Sequence, residues 1–269
     1  VGAAKVNRRR ALLLTIVPAA VVAAIFVVLG IVAIGLVVGI VIAVVALGLG
    51  IAAYLFAPRA LASRLETVPA NPDEHARLYN VVEGLCLAWG LPQPELRLLV
   101  DPAPNAIAIG RSPDDSVIIC TTGLVDSLDR MELEAVLAHE LAHVRNLDVL
   151  SGSVAANTIG YLALMSPRAG IALLRRSGAA RESYADRASV GLTRYPPAMI
   201  SALEKTAAAP SRLPAGVSRS VAVRTGQLWL APFDAGVPLG YAGREAPPGA
   251  AAIPGSLSLD ERIELLREL

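Results

Sequence analysis

His139, Glu140 and His143 are the residues of this chain best placed to do chemistry, since two imidazoles stand four positions apart with a carboxylic acid beside the first. On an α-helix, positions i and i+4 share a face, so both rings can close on one cation. In this H-E-x-x-H arrangement the two His bind Zn²⁺, and the Glu is the general base toward a water that the metal activates. The spacing therefore points to zinc-dependent peptide hydrolysis. Core-packing histidines would instead follow the apolar stripe of the same helix, Leu133, Leu137, Leu141 and Val144, and the His pair lies off it.

A catalytic zinc takes three protein ligands and keeps one position open for water. No His follows His143, so the third donor must be a carboxylate. Arg181-Glu182-Ser183-Tyr184-Ala185-Asp186 offers two acids one helical turn apart. Glu182 would bind the metal, and Asp186 would accept the outer N–H of a ligating His and fix its tautomer. Taken alone, acids at i and i+4 between Arg181 and Arg187 read more simply as a salt-bridged solvent face. Downstream of H-E-x-x-H they read as the rest of a metal site.

These residues need elements to carry them. Asp129 and Glu132 form a capping box that starts the H-E-x-x-H helix. Asn71 as N-cap, Pro72 at the first helical position and Asp73 and Glu74 in the first turn predict an earlier helix, running to about Trp89 and stopping at Gly90. Glu95–Val100, Asn105–Ile109 and Ser116–Thr121 read as short strands of a small sheet, and a short helical turn follows Thr122-Gly123. Gln227–Leu230 is a further candidate strand. Ser258 and Glu261 cap a final helix whose Leu259, Ile263, Leu266 and Leu269 should face inward.

The 269 residues are 54% hydrophobic, and the excess sits at one end. Ala11 to Ala57 carries no charge. As one helix that run would measure about 70 Å, more than twice the roughly 30 Å hydrocarbon core of a bilayer. It should cross twice, near 12–29 and 36–56, reversing around Gly30 to Gly35. A cleaved signal peptide is the competing reading of Arg8, Arg9, Arg10 and the apolar run, but the run is much too long for one. Those arginines on one flank, with Arg59 and Arg64 on the other, put both ends of the hairpin and the domain behind it on the cytoplasmic face. Val149 to Leu174 is too short to cross twice, and one crossing would split the metal ligands between two sides. It reads as a helical hairpin, buried or dipping into the membrane surface. Cys86 and Cys120 read as small buried hydrophobes. The net charge of +1 gives no reason to expect a nucleic-acid partner.

A set of motifs in fixed order then becomes informative: Pro104-Asn105-Ala106-Ile107-Ala108, Thr121-Thr122-Gly123-Leu124, Glu134 to Val144, Asn146, Asp148, Arg181 to Asp186, and Asp260-Glu261-Arg262-Ile263. With the paired apolar segments, the chain resembles the HtpX-type membrane zinc metalloproteases, relatives of the CAAX prenyl proteases. The resemblance implies zinc on His139, His143 and Glu182 with Glu140 as base, Asp186 behind a ligand, and proteolysis of membrane or misfolded proteins at the cytoplasmic side of the cell (inner) membrane. It also implies an edge strand at Asn105, Ala106, Ile107 and Ala108 that pairs with the substrate by β-augmentation. Two departures mark this chain. The further membrane-spanning pair between H-E-x-x-H and the third ligand is cut to one short segment, and the His-Pro before the last helix is replaced by Ser256-Leu257-Ser258.

The expected architecture is α+β, mainly α. Residues 1–64 form a two-helix transmembrane anchor, and residues 65–269 a zincin-like, gluzincin-type domain with a small sheet and an H-E-x-x-H active-site helix. The alternative function is a catalytically inactive membrane-anchored zinc-binding scaffold. Its mark would be a damaged base or ligand, and all four candidate residues are intact. A transport role lacks an ion path, because the apolar segments carry no intramembrane charge.

Overall fold

The structure is a computed structural model that describes residues 36–150, 181–209 and 257–269, with scattered positions between 6 and 28 and between 152 and 231. Eight of the eighteen residues of the expected crossing at 12–29 lie outside the described residues, as do its reversal and most of the expected hairpin at 149–174, of which Val149, Leu150, Gly152 and Ser153 are described and buried.

Helix α1, Leu36–Ala62, runs for 27 residues, with Pro58 and Arg59 near its end. Among the described residues, which leave out the side chains at 36, 39, 46, 53, 54 and 57, no helix is long and apolar enough to cross a membrane. The last turn of α1 turns to the protein interior, where Leu61 is buried.

Four strands follow: β1 (Thr67–Pro69), β2 (Glu95–Leu99), β3 (Ala106–Ser112) and β4 (Asp115–Thr121). Their order is β1-β2-β4-β3. β1 is antiparallel to β2, β2 parallel to β4, and β3 antiparallel to β4. Side chains alternate between faces as the pleat requires. Leu96, Leu98, Ala106, Ala108, Ile118 and Cys120 join the main core beneath the helices. Leu99, Ile107, Ile109 and Ile119 point the other way, against Leu61, Leu65, Val217, Leu228 and Trp229. The sheet is thus covered on both faces. β1 has no counterpart in the sequence reading, since three residues ending in Pro69 carry no periodic signal.

Helix α2 (Ala76–Trp89) starts later than Asn71 predicts. The Asn71 side chain accepts from the Asp73 N–H at 3.0 Å, which turns the chain locally, and the helix begins only after His75. It ends where expected, on Gly90 in the left-handed region, with the Leu91 N–H donating to Cys86 O. A short helix α3 (Thr122–Ser127) leads to α4 (Arg130–Arg145), whose capping box is formed in both directions. From Ala135 to Val144 every residue of α4 is buried, because β3, α2, α5 (Arg181–Thr193) and α6 (Pro196–Ala208) surround it. Ser189 Oγ donates to Ala135 O at 2.6 Å and pins α5 to α4.

Gln227–Leu230 is not a strand. Gly226–Leu228 is a 3-10 turn, and Trp229 alone bridges Ile107. The reason lies in Asn105, whose side-chain amide holds both the O and the N–H of Ala231, at 2.6 and 3.1 Å, in place of a backbone ladder. The final helix α7 (Leu259–Arg267) has its Ser258–Glu261 capping box. Leu269 is exposed, not inward, because α7 ends two residues before it.

Candidate metal centre

α4 presents His139 and His143 one turn apart, with their ring centroids 4.8 Å apart and their planes at 86°. Their Nε2 atoms lie 3.2 Å apart. α5 brings Glu182 against both: Oε2 is 3.4 Å from His139 Nε2, and Oε1 is 3.6 Å from His143 Nε2. A tetrahedral zinc with ligands at about 2.0–2.1 Å has donor–donor edges of about 3.3–3.4 Å. The three observed edges bracket that value. These are the donors that group within reach of one cation among the described residues. His75, by contrast, sits in the turn before α2 with its Nδ1 3.2 Å from Asn71 O.

Glu140 is 1% exposed, and neither carboxylate oxygen has a hydrogen-bond partner among the described residues. An acid buried this way is expensive to keep unless something polar comes to it. The donor set and this unengaged acid together fit a hydrolytic zinc and the water beside it.

Electrostatics separate the roles. Burial raises the Glu140 carboxyl above its ordinary value. Burial works the same way on Glu182 but is outweighed by His143, His139, Arg181 and Arg262, which hold it well below the usual carboxylate range. The two buried acids are thus shifted in opposite directions. His139 is buried, yet Asp186 and Glu182 lift its pKa to about 9. A zinc held here would have to displace that proton.

Asp186 sits 2.9 Å from His139 Nδ1, close enough to favour the N–H on that nitrogen, though bent away from full hydrogen-bond alignment. Both acids of the 181–186 stretch are buried, so the solvent-face reading of the pair does not hold. Asn105, Ala106, Ile107 and Ala108 lie at or on β3, which packs beside α4 at the sheet edge. All four are buried, and Ala106 O accepts from the Leu230 N–H at 2.9 Å.

Two residues took no role in the sequence reading. Arg262, 2% exposed on α7, donates from Nε and Nη2 to Asp186 and from Nη1 to Leu230 O. Its signal was available: it lies three residues after Leu259, on the inward stripe, where an unpaired Arg has no place. Asp148 places Oδ2 at 3.3 Å from His143 Nδ1. Its signal was weaker, because it lies beyond the helix and the intervening turn is not legible from residue types.

The sequence model of peptidase family M48 matches residues 72–232, which contain all four candidate residues. The chain belongs to peptidase family M48. It is 36% identical over 167 residues to a protein named Protease HtpX homolog from Dictyoglomus turgidum, a match covering 50% of this chain and 55% of that one. A Protease HtpX homolog of Dictyoglomus thermophilum is 36% identical over 165 residues (49% and 54%), and one of Pelotomaculum thermopropionicum is 41% identical over 120 residues (45% and 43%). The chain spans about half the length of the curated relatives it matches. No solved structure matches it. The M48 match stops before α7, so Arg262 lies outside the matched segment.

Proposed function

We propose that this M48 chain is a membrane-bound zinc endopeptidase that hydrolyses peptide bonds of membrane or misfolded proteins on the cytoplasmic side. The observation that carries the reading is Glu140, buried and without a hydrogen-bond partner beside three converging donors. His139, His143 and Glu182 would hold a single zinc, which when bound supplies Lewis-acid activation of water and of the scissile carbonyl. Glu140 takes the proton from the attacking water and returns it to the leaving amine. Asp186 orients His139, and Arg262 keeps Asp186 charged. Ala106 to Ala108 would pair with the substrate backbone once Trp229 and Leu230, which hold the outer side of β3 there, give way. Peptidase names among the relatives support the reaction, and the family match supports the metal.

The membrane part rests on the apolar run. Val37, Ile40, Val41, Val44, Leu47, Leu49, Ile51 and Phe56 of α1 are all exposed. These positions span more than half of the helix circumference, and a helix so widely apolar wants a non-aqueous surrounding. With the basic flanks this supports a multi-pass anchor at the inner membrane, the 12–29 and 36–56 crossings and a cytoplasmic domain over 65–269.

Zinc content and casein cleavage of the detergent-solubilised chain, with and without a chelator, test the proposal. Chelator-sensitive cleavage that zinc restores is the expected result. A zinc-loaded chain that never cleaves would point to the scaffold, and the sidedness follows from protease protection of inverted vesicles.

A further inference from the structure

Asp148 is the second carboxylate behind the metal site, and it arrives by an unusual route. α4 ends at Arg145 with Asn146 as its C-cap, and Leu147 follows with φ 58, in the left-handed region. A leucine there costs about 1–2 kcal/mol. The turn brings Asp148 back beneath the helix it has just left, with Oδ2 3.3 Å from His143 Nδ1. The two H-E-x-x-H imidazoles thus have a carboxylate each: Asp186 behind His139 and Asp148 behind His143. Asp148 is itself held. Asn7, from the far end of the sequence and only 8% exposed, donates from Nδ2 to Asp148 Oδ1 and to Asn146 O, the latter at 2.9 Å.

The geometry points to Asp148 and Asn7 as positioning residues for His143, so that the segment preceding the apolar run completes the support of the metal site. The inference rests on the metal-centre reading above and goes beyond it. A ligating imidazole binds through Nε2 only when Nδ1 carries the proton, and an acceptor at Nδ1 fixes that tautomer and strengthens the donor. Asn7 fixes the acceptor twice over. One hydrogen bond orients the Asp148 carboxylate, and the other ties the same amide to the backbone of the turn. Residues 1–64 then act as more than a tether, because one of their side chains belongs to the ligand support.

The test is zinc affinity of the full chain, measured by competition with a chromophoric chelator, together with the visible spectrum of the cobalt-loaded protein. Asp148→Ala should weaken zinc binding about 10–100-fold. Asp148→Asn, which keeps an acceptor but loses the charge, should recover part of that loss. Asn7→Ala should weaken binding by a smaller factor, on the order of 3- to 10-fold, and shift the cobalt bands in the same direction as Asp148→Asn. If Asp148→Ala fails to fold, the Asp148→Asn and Asn7→Ala chains decide the matter. Wild-type affinity within twofold in both, with an unchanged cobalt spectrum, overturns the inference while leaving the metal centre intact. A wild-type chain that takes up no zinc removes the metal-centre reading itself.

Discussion

Arg262 grips Asp186 with two hydrogen bonds, Nε to Oδ2 at 2.8 Å and Nη2 to Oδ1 at 2.7 Å, and Asp186 in turn faces His139 Nδ1. α7 therefore holds the carboxylate that faces the first candidate ligand. Arg262 also lies 3.6 Å from Glu182 Oε2, so one buried cation serves two buried acids. Breaking one side of such a pair leaves charges with no partner and costs about 3–5 kcal/mol. Arg262→Met should lower stability by that order, read as a lower denaturation midpoint. An unchanged midpoint would mean that the carboxylates find another cation.

Glu140→Gln isolates the base. The amide keeps the shape of the side chain but cannot take a proton, so zinc should stay bound in equal amount while casein turnover falls by at least about 1,000-fold, within the range such groups contribute. Equal zinc with undiminished turnover would remove Glu140 from the chemistry.

Glu182→Ala separates the third ligand from its neighbours. A metal that binds only the folded chain stabilises it by about 2.7 kcal/mol at a free concentration one hundred times its dissociation constant. Zinc should raise the melting temperature of the wild-type chain and leave that of Glu182→Ala unmoved at the same concentration. A chelator should bring the wild type down to its own metal-free value.

Glu132 links stability to pH. Burial opposes its charge, but Lys205, Ser201 and the Asp129 backbone N–H more than offset this and hold the carboxyl below its ordinary value. Since the folded value lies under the unfolded one of about 4.3, its contribution is whole above that pH and fades as pH falls through the folded value. Glu132→Gln keeps the cap but loses the charge facing Lys205, and should be less stable at pH 7 by up to about 1 kcal/mol. The gap should close in acid. A difference that stays constant with pH would show that the charge plays no part.

Gly123→Ala tests the loop that feeds β3. A Cβ there would sit 2.0 Å from Pro102 O, a backbone atom that cannot swing aside. The expected loss is at least about 2 kcal/mol, measured by thermal melting.

The grouping of His139, His143 and Glu182 was legible because chemistry constrains a candidate site tightly: the H-E-x-x-H spacing fixes the first two, and the lack of any later His turns the search to an acid. Three of the four strands were legible, β2 and β4 to within a residue and β3 short by three at its far end, because punctuation by Pro, Asp and Ser brackets each one. Asp148 and Asn7 were not, since their meeting depends on the left-handed turn at Leu147 and spans 141 positions. The start of α2 was misplaced for a local reason, Asn71 bonding within its own turn instead of capping the helix. Trp229 was misread as part of a strand because the side chain of Asn105 stands in for a ladder there, and sequence pattern does not distinguish amide side chains from backbone.

That amide clasp and the Ile107–Trp229 bridge also decide how the protein behaves in a crowd. A bare sheet margin recruits any extended polypeptide, including another copy of itself, and so invites aggregation. Here the margin is already half taken by the chain's own Trp229 and Leu230, which shields the resting molecule from indiscriminate self-association.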